Sequence, residues 1–559
     1  MTEPVSSPSW SRDLLLLTLM LGLLFGFRLG SHPLANPDEG RYAEIPREML
    51  AAGEFVTPRL DGVKYFEKPP LMYWAVAACL QAFGPNEWSV RAAPALFALG
   101  GVLLAYAAGR RLYGREAGLL AAGVLGTSLL YFALTRLLTL DMAVAVLMSA
   151  TLFCFILGVR EPPGACRRWL FYGLYASAAL ATLTKGLIGF LVTGAVMFLW
   201  LLVFNQWKRL RPFHLPTGAL LFLAIAAPWH LLAAARNPEW PRFYFIHEHW
   251  ERFVSTGHKR YEPWWFYLPM VCAGLFPWVG FLWASLRTAL AGGWARRKEN
   301  ADAWFLVLWA AFVLLFFSAS QSKLIPYILP VFPPVAVLIG AWLARASTEP
   351  ASTRLRVAFG LFAFLCGLLA VALCVAVLKP GVIRVPSQAE LLRPYAFGMA
   401  AVLLLGGVAA PWAARVHGLR AGLLTLVSTS LGFYLILMLA APSIQRPGTK
   451  ELALQAAALI RPGDRVYHYH AFFHDFTFYA RRTVGTVTYQ DELELPFLDP
   501  AERAARFIDD AGLRRQWTGP ERVIVLARKQ DLWELFADPA FRYHLLGEDQ
   551  NHYLFSNRP

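Results

Sequence analysis

The sequence predicts a polytopic α-helical membrane protein of about thirteen membrane-spanning helices, with external interfacial helices and a C-terminal soluble α/β domain. Of the 559 residues, 57% are hydrophobic and only 16% are charged, and the mean hydropathy is +0.44. Soluble domains carry about 25% charged residues. Apolar runs of at least about 18 residues, the length that crosses a bilayer, recur along the chain. After Pro442 the pattern changes to alternating helix and strand signals.

Each predicted span is a mostly apolar run bounded by polar or charged residues. In chain order these runs are residues 11–30, 88–108, 116–135, 141–159, 169–184, 186–204, 215–235, 263–286, 302–319, 324–344, 357–378, 394–413 and 420–441. The stretch "PPLMYWAVAACLQAFG", residues 69–84, is short for a span, and we predict an interfacial or re-entrant helix there. The first run has no convincing cleavage site and many runs follow it, so we interpret it as a retained anchor.

The distribution of charge predicts the orientation of the chain. The protein carries 52 Lys and Arg against 37 Asp and Glu, a formal net charge of +15. Loops such as "GRRLYGRE" and "NQWKRLR" are richer in basic residues than the short loops around residues 136, 185 and 323. The positive-inside rule therefore predicts a cytoplasmic N-terminus, and an odd number of spans predicts an external C-terminus. Because topology accounts for the net charge, we expect no nucleic-acid partner.

The last part of the chain predicts a small α/β domain, so we divide the chain into residues 1–442 and 443–559. The stretch "ELALQAAALIRPGDRVYHYH" predicts helix, turn and strand. The stretch "ERVIVLARKQDLWELF" predicts strand then helix, and "YHLLGEDQNHYLF" predicts two short strands joined by a turn. With the predicted orientation, this domain and two long loops, residues 31–87 and 236–262, lie on the outer face.

The stretch "NPDEGRYAEIPREML" follows the first span with a dense cluster of charged and aromatic residues. We expect Asn36 to cap a helix that begins at Pro37. On that helix Arg41 and Tyr42 share the face of Asp38. One interpretation is an amphipathic helix that rests on the membrane interface. A second charged cluster in the same loop, within "VKYFEKPPL", favours a functional site, because an interfacial helix alone does not explain it.

Single ionisable residues also stand at the outer ends of later spans. They are Arg136, Asp141, Lys185 and Lys323. Ionisable side chains at membrane depth are costly, and they mark functional positions by default, although any one of them can reach the interface along its own stem. The cations among them, Arg136, Lys185 and Lys323, together with Lys68 predict a site for an anionic lipid headgroup, for which phosphate is the natural ligand.

The loop "RFYFIHEHWERF" contains two histidines, which raises the question of a metal site. His247 and His249 share a face only in an extended segment, and a zinc site would need a further ligand such as Glu67 or Glu248. We favour interfacial anchoring for these histidines and a structural role for "YHYHAFFHD". The six cysteines lie mostly in apolar segments and predict no disulfide framework. No P-loop, GxGxxG, GxSxG or HExxH motif carries an alternative chemistry.

The external Asp-Glu pair after the first span, Asp141, "YFEKPPL" and "SKLIPYILP" together resemble the GT-C glycosyltransferases. More narrowly, the chain is similar to the bacterial 4-amino-4-deoxy-L-arabinose lipid A transferases, relatives of the protein O-mannosyltransferases. The resemblance extends over the whole chain. It implies transfer of aminoarabinose from undecaprenyl phosphate to a lipid A phosphate at the periplasmic face of the bacterial inner membrane, with resistance to polymyxin and other cationic antimicrobial peptides.

The resemblance also implies roles for individual residues. We expect Asp38 and Asp141 to be catalytic. The resemblance implies that the lipid phosphate lies beside Lys68, Tyr65, Arg252 and Tyr327. We expect Lys185 and Lys323, from the outer ends of later spans, to bind it as well. Further substrate contacts are expected from Glu39, Arg41 and Tyr42. A zinc ion, associated with the fold near Glu67, would draw its ligands from Glu67, His247 and His249. A monomer is expected.

Two alternatives stay open at this point. A related enzyme of the same superfamily would move mannose from a polyprenyl phosphate to protein hydroxyls. A lipid-phosphate transporter belongs to a different class, but the sequence has no inverted repeat, and its charges gather at one predicted face rather than near the bilayer midplane.

Overall fold

The structure, a computed structural model, describes residues 9–246, 262–348, 352–383, 386–444, 448–488, 493 and 495–559. The chain forms two compact units. The helical unit comprises residues 1–29, 94–231 and 241–444, and the α/β unit comprises residues 30–93, 232–240 and 445–559. The long external loop predicted after the first span therefore belongs to the same unit as the C-terminal residues. The predicted division at residue 442 stays a prediction.

The helical unit is made of α-helices that follow the predicted apolar runs. Their bounds are Trp10–Gly26, Glu87–Tyr113, Arg115–Thr127, Leu129–Thr135, Leu140–Arg160, Ala165–Lys185, Ile188–Phe204, Leu215–Arg236, Tyr267–Gly274, Val279–Ala289, Ala301–Ala319, Phe332–Ala346, Thr353–Leu378, Pro386–Val416 and Leu419–Ile444. Glu87–Tyr113 and Leu215–Arg236 also contribute residues to the α/β unit. A short helix, Trp240–Arg242, and 3-10 turns at Trp207–Leu210 and Ile325–Val331 complete the set seen in the described residues.

The helix lengths support a multi-pass membrane protein. In the described part of the chain, 8 helices are long and apolar enough to cross a membrane, and up to 10 if each of two bent pairs counts as one span. Leu71–Phe83 and Ile188–Phe204 are shorter apolar helices. The polytopic helical class is confirmed, whereas the predicted number of thirteen spans stays a prediction.

Two runs predicted as single spans, 116–135 and 263–286, are broken. Arg115–Thr127 and Leu129–Thr135 meet at 65°, and Tyr267–Gly274 and Val279–Ala289 meet at 105°. At the first break Ser128 has an extended backbone, and its hydroxyl donates to the carbonyl four residues earlier, a bond that competes with the helix. At the second, Pro277 lacks an N–H and disfavours a helical conformation at the residue before it. Hydropathy alone does not detect such breaks.

The α/β unit contains the helices Asp38–Ala52, Leu71–Phe83, Lys450–Leu459, His474–Ala480, Pro500–Arg506, Asp510–Trp517 and Trp533–Phe536, with 3-10 turns at Leu495–Phe497 and Lys529–Asp531. Its strands are β1 (Arg59–Leu60), β2 (Val63–Lys64), β3 (Arg465–Tyr469), β4 (Gly485–Val487), β5 (Phe507–Ile508), β6 (Val523–Arg528), β7 (His544–Glu548) and β8 (His552–Ser556). The helix at residues 71–83 confirms a helix within 69–84.

The six-stranded sheet has the order β5-β4-β3-β6-β8-β7. The first four strands are parallel, and β8 and β7 pair antiparallel to complete the sheet. This confirms the helix, turn and strand predicted from residue 451 and the strand and helix predicted from residue 521. It also confirms the two short strands joined by a turn near the end of the chain. One face of the sheet packs on an apolar core that includes Val525, Phe555 and Trp517.

The Asp38–Ala52 helix is confirmed, but its predicted cap and environment are wrong. It begins one residue later than expected, at Asp38, and Asn36 does not cap it. The Asn36 side chain instead donates to the carboxylate of Asp475. Charged residues of the helix, including Glu39 and Glu44, are buried together with its apolar ones. It is therefore a core element of the α/β unit rather than an amphipathic helix with one polar face.

We predict that replacing Arg91 by Met lowers the free energy of unfolding by about 3–5 kcal/mol, because the change leaves the buried carboxylate of Glu39 unpaired. Arg91 and Glu39 are 0% and 2% exposed and approach to 2.7 Å. The matched control is Arg111→Met, since Arg111 and Glu161 are more than 30% exposed and an exposed pair contributes about 1 kcal/mol or less. Tryptophan fluorescence during heating reports the unfolding of each purified variant. Equal losses of stability in Arg91→Met and Arg111→Met would contradict the prediction.

We also predict that acidification destabilises the α/β unit through its buried imidazoles. Burial lowers the pKa of His468 from 6.5 to about 3, and burial likewise lowers the pKa of His474. Below pH 6.5 the unfolded chain binds a proton that folded His468 does not bind. Stability is therefore lost as pH falls from 6.5 towards 3, by about 1.4 kcal/mol per pH unit for each such group.

Chemical denaturation between pH 7.5 and 4.5 measures how the free energy of unfolding changes with pH. This range includes the pKa of a histidine in the unfolded chain. His468→Asn keeps an acceptor for the Phe473 N–H that His468 binds, and we expect it to reduce the slope. His544→Asn, at an exposed position in β7, is the control. An unchanged slope in His468→Asn would exclude this residue as a source of the pH dependence.

Candidate active site

The first group of candidate residues lies in the α/β unit and is called the Asp38 group: Asp38, Arg41 and Tyr65. The Asp38 carboxylate is 62% exposed, and its Oδ1 lies 2.8 Å from Nη2 of the buried Arg41. Arg41 Nη1 donates to the Tyr65 hydroxyl at 3.2 Å. Burial raises the pKa of Tyr65 well above 10, so its hydroxyl keeps its proton. The group therefore presents an accessible carboxylate on a buried, positively charged support.

The segment that carries Asp38 is fixed by buried polar contacts. Arg91 binds both carboxylate oxygens of Glu39, at 2.8 and 2.7 Å, and donates to the carbonyls of His32 and Pro33 at 2.9 Å. Glu39 also accepts the backbone N–H of Ala35 at 2.9 Å. Because these bonds tie the chain on both sides of residue 36 to one guanidinium, Asp38 has a defined position despite its exposure.

The packing of the helix onto its neighbour is equally close. A Cβ on Gly40 would stand 2.5 Å from the backbone nitrogen of Asp475, at the start of the His474–Ala480 helix. Asp475 accepts bonds from Asn36 and from the Thr449 N–H and hydroxyl, at 2.6 and 2.9 Å for the two from Thr449. Only glycine allows this approach, which brings the Asp38 segment against the C-terminal part of the chain.

The remaining candidates of the first cluster lie around this helix. Lys68 donates to the Glu67 carbonyl at 3.0 Å, and its ammonium lies 3.7 Å from the Glu67 carboxylate. The Arg41 guanidinium lies 5.4 Å from the centre of the Tyr42 ring, which in turn packs 6.2 Å from Tyr73. Glu39, predicted as a substrate contact, is buried against Arg91 in this structure.

The second group lies in the helical unit and is called the Lys185 group: Asp141, Lys185 and Tyr327. Lys185 forms a short ion pair with Asp141. Its ammonium also lies 4.4 Å from the centre of the Tyr327 ring, a cation–π distance. Asp141 stands in the first turn of Leu140–Arg160 and Lys185 ends Ala165–Lys185, the positions that the two helix dipoles favour for these charges. One cation is thus held between a carboxylate and an aromatic face.

The other predicted outer cations have backbone partners. Lys323 is 7% exposed and donates to the carbonyls of Ser320, at 2.5 Å, and Glu262, at 3.0 Å. Arg136 donates to the Phe25 carbonyl at 3.2 Å. Tyr267 exchanges two hydrogen bonds at 3.1 Å with the backbone of Leu324, next to Lys323. These contacts fix the loops around both cations.

The metal prediction stays a prediction. No group of three or more His, Cys, Asp or Glu side chains that could hold an ion occurs among the residues that were described. His247, His249 and Arg252 lie outside the described residues. Within them, Glu67 has Lys68 beside its carboxylate.

Arg91 and Asp475 belong to the support for Asp38, and neither was predicted from the sequence. Arg91 stands near the start of an apolar run predicted as a span, and an ionisable residue in such a run is a signal that could have singled it out. Asp475 gave no signal, because a carboxylate in "YHYHAFFHD" resembles any helix-start residue until its partners, Asn36 and Thr449, are known.

Comparisons with known proteins find similar sequences over much of the chain. The family model described as dolichyl-phosphate-mannose-protein mannosyltransferase matches residues 67–231. The chain is 34% identical to undecaprenyl phosphate-alpha-4-amino-4-deoxy-L-arabinose arabinosyl transferase 1 of Pseudomonas fluorescens over 71% of this chain and 70% of that protein. It is 36% identical to a transferase 2 of the same species over 60% of each. The chain thus spans 60–70% of the length of these two relatives.

Solved structures give a longer match. The crystal structure of ArnT from Cupriavidus metallidurans bound to undecaprenyl phosphate is similar with a TM-score of 0.86 and 29% identity, over 98% of both chains. The apo state of the same protein gives a TM-score of 0.83 at 29% identity. The similarity therefore includes both the helical unit and the α/β unit. The chain belongs to the family of undecaprenyl phosphate-alpha-4-amino-4-deoxy-L-arabinose arabinosyl transferases.

Proposed function

We propose that this protein transfers 4-amino-4-deoxy-L-arabinose from undecaprenyl phosphate to a phosphate of lipid A, in the bacterial inner membrane. The observation that carries the proposal is the match of 98% of the chain to an ArnT structure that holds undecaprenyl phosphate. The apolar helices suit a donor that stays in the bilayer. With a cytoplasmic N-terminus and a periplasmic C-terminal domain, the reaction takes place at the periplasmic face, and a monomer suffices for it.

The chemistry is displacement of a phosphate from the anomeric carbon of the sugar. As the bond from that carbon to the phosphate oxygen breaks, negative charge grows on the leaving phosphate. A fixed cation that meets this charge lowers the barrier. We assign this role to Lys185, because Asp141 and the Tyr327 ring hold its ammonium in one position. Lys68, Tyr65, Lys323 and Arg252 remain proposed phosphate contacts.

Asp38 has a different role when the acceptor is a phosphate. A phosphate oxygen is already ionised and attacks the anomeric carbon without a general base. The exposed Asp38 carboxylate, supported by Arg41, is suited to orient the sugar or to bind its ammonium group. Glu39 acts as a positioning residue through Arg91, and Tyr42 and Arg41 support the same helix face.

A second candidate is transfer of mannose to protein hydroxyls, which the mannosyltransferase description of the matching family model favours. A hydroxyl acceptor needs a base, and Asp38 would then take its proton. The proposals differ in the acceptor and in the product. Purified protein in liposomes is supplied with aminoarabinosyl or mannosyl undecaprenyl phosphate, and each donor is tested with lipid A and with a serine- and threonine-containing peptide.

Mass spectrometry of lipid A and of the peptide decides between them. A gain of one aminoarabinose on lipid A supports the leading proposal, and sugar on the peptide alone would replace it. Movement of the intact donor between leaflets without any new product would indicate a transporter. In cells, the added amine offsets lipid A phosphate charge, so the proposal includes resistance to polymyxin and other cationic peptides.

We predict that Lys185→Met lowers the rate of transfer by about 100- to 1,000-fold, the effect of removing one group that stabilises developing charge. Lys185→Arg keeps the charge and retains more activity than the methionine variant. Lys208→Met, at an exposed position in the same unit, is the control and keeps the wild-type rate. Single-turnover measurements with saturating donor separate the chemical step from binding. A Lys185→Met rate equal to that of the control would remove Lys185 from the mechanism.

For Asp38→Asn we predict a loss of transfer of about 100-fold or more, because an amide neither binds an ammonium by charge nor retains the Arg41 pair. Single-turnover rates with each acceptor distinguish the roles, because a phosphate attacks without a base whereas a hydroxyl needs one. A loss of transfer to lipid A phosphate fits orientation or ammonium binding, and a loss confined to a hydroxyl acceptor fits a base. Asp509→Asn, 74% exposed, is the control. Retention of most activity by Asp38→Asn would make both roles untenable.

A further inference from the structure

The α/β unit contains a cavity of about 320 Å³ that does not involve the Asp38 group. One side is formed by the end of the Asp38–Ala52 helix and the residues that follow it, and the other by the turn after His474–Ala480. Its charged lining residues are Arg47, Glu48, Glu54, Arg59, Arg481 and Arg482. The volume lies at the lower end of the range of ligand pockets, which suits a ligand the size of a headgroup.

Part of the charge in this cavity is already balanced. Arg47 pairs with the buried Glu44 at 2.6 Å, and Glu54 pairs with Arg236 at 2.7 Å. Neither of those partners lines the cavity. Among the charged residues of the lining, four guanidinium groups stand against two carboxylates, those of Arg47, Arg59, Arg481 and Arg482 against those of Glu48 and Glu54. The cavity therefore carries an excess of positive charge.

Two polar atoms of the lining are buried and make no hydrogen bond within the described residues. They are Arg482 Nε and Glu48 Oε1. Such atoms cost free energy until a partner is supplied. Burial lowers the pKa of Arg482, and the nearby Asp464 only partly opposes this effect. Neither atom is accessible to solvent in this structure, so a ligand would reach them only with a small shift of the Arg482 and Glu48 side chains.

The backbone at the cavity is strained at one residue. Arg481 ends the His474–Ala480 helix with φ 55°, a left-handed conformation that glycine adopts at much lower cost at helix ends. Its side chain is exposed, so no packing inside the protein accounts for an arginine there. Strained residues of this kind occur where a side chain is held for a function.

We propose that this cavity binds a phosphate group, in the form of a phosphomonoester or inorganic phosphate, through Arg59, Arg481 and Arg482. Guanidinium groups match phosphate oxygens bidentately, and a phosphate that keeps one proton also offers a hydroxyl to Glu48. The cavity belongs to the α/β unit and the Lys185 group to the helical unit, and the proposal does not depend on the proposed transfer reaction. The phosphate comes either from a lipid headgroup or from solution.

The test uses the full-length protein carrying Lys185→Met, which removes the cation of the Lys185 group, and the cavity and control variants are all made in this background, so that the other proposed phosphate contacts are the same in every sample. The protein is placed in phosphatidylcholine nanodiscs, and its unfolding temperature is followed as ligand is added. One arm titrates inorganic phosphate against potassium chloride of equal ionic strength. The second arm replaces about one-fifth of the lipid with phosphatidic acid, whose headgroup is a phosphomonoester. A ligand that binds only the folded protein raises the unfolding temperature with its concentration.

We expect stabilisation in at least one arm, and we expect Arg481→Gln with Arg482→Gln to raise the apparent Kd at least 10-fold. Arg59→Gln, tested alone, provides a second variant should the double variant fail to fold. Arg515→Gln, 76% exposed in the same unit, is the control with wild-type titration. Stabilisation by phosphatidic acid alone identifies a lipid source, and stabilisation by both identifies a site open to solution. Absence of stabilisation in both arms, or equal titrations for control and cavity variants, would overturn the proposal.

Discussion

The buried ion pair between Arg91 and Glu39 is the interaction on which the position of Asp38 depends. Arg91 is fully buried, binds both oxygens of Glu39 and donates to two backbone carbonyls of the preceding loop. A charge in this environment is tolerated only when all its partners are present. The loop, the start of the helix and the arginine are therefore fixed together. The exposed carboxylate of Asp38, next to Glu39, has a defined position for this reason, although it is not buried itself.

The Asp38 group and the Lys185 group have the same kind of arrangement with the charges reversed. In each, one charged side chain is held by a partner of opposite sign, and an aromatic residue lies beside the cation. In the Asp38 group the accessible charge is a carboxylate on a buried cation. In the Lys185 group a cation is held between a carboxylate and a ring. Orienting a sugar that carries an amine and stabilising a leaving phosphate require these two kinds of charge, which is why the proposed transfer uses both.

Much of the fold follows from local pattern. Strands β3, β6, β7 and β8 and the apolar helices were predictable because alternation and hydropathy are properties of short segments. The broken helices at Ser128 and Pro277 were not, since a side-chain hydrogen bond or a proline changes the direction of a run without changing its hydropathy. Asp38 and Lys185 became candidates because charge beside an apolar run is conspicuous in a sequence. Asn36 was misassigned as a cap because the carboxylate that binds it lies 439 residues further along the chain.

The sequence by itself determined that the chain is a multi-pass helical protein with a C-terminal α/β part, and which ionisable residues stand at the ends of its apolar runs. These properties depend on composition and on short-range spacing. Only the tertiary structure decided which charges meet. It joined Glu39 to Arg91, Lys185 to Asp141 and Tyr327, and residues 30–93 to the C-terminal sheet. The physical reason is that a buried charge is stabilised by whichever partner packing brings within a few ångströms, and distance along the chain carries no information about that partner.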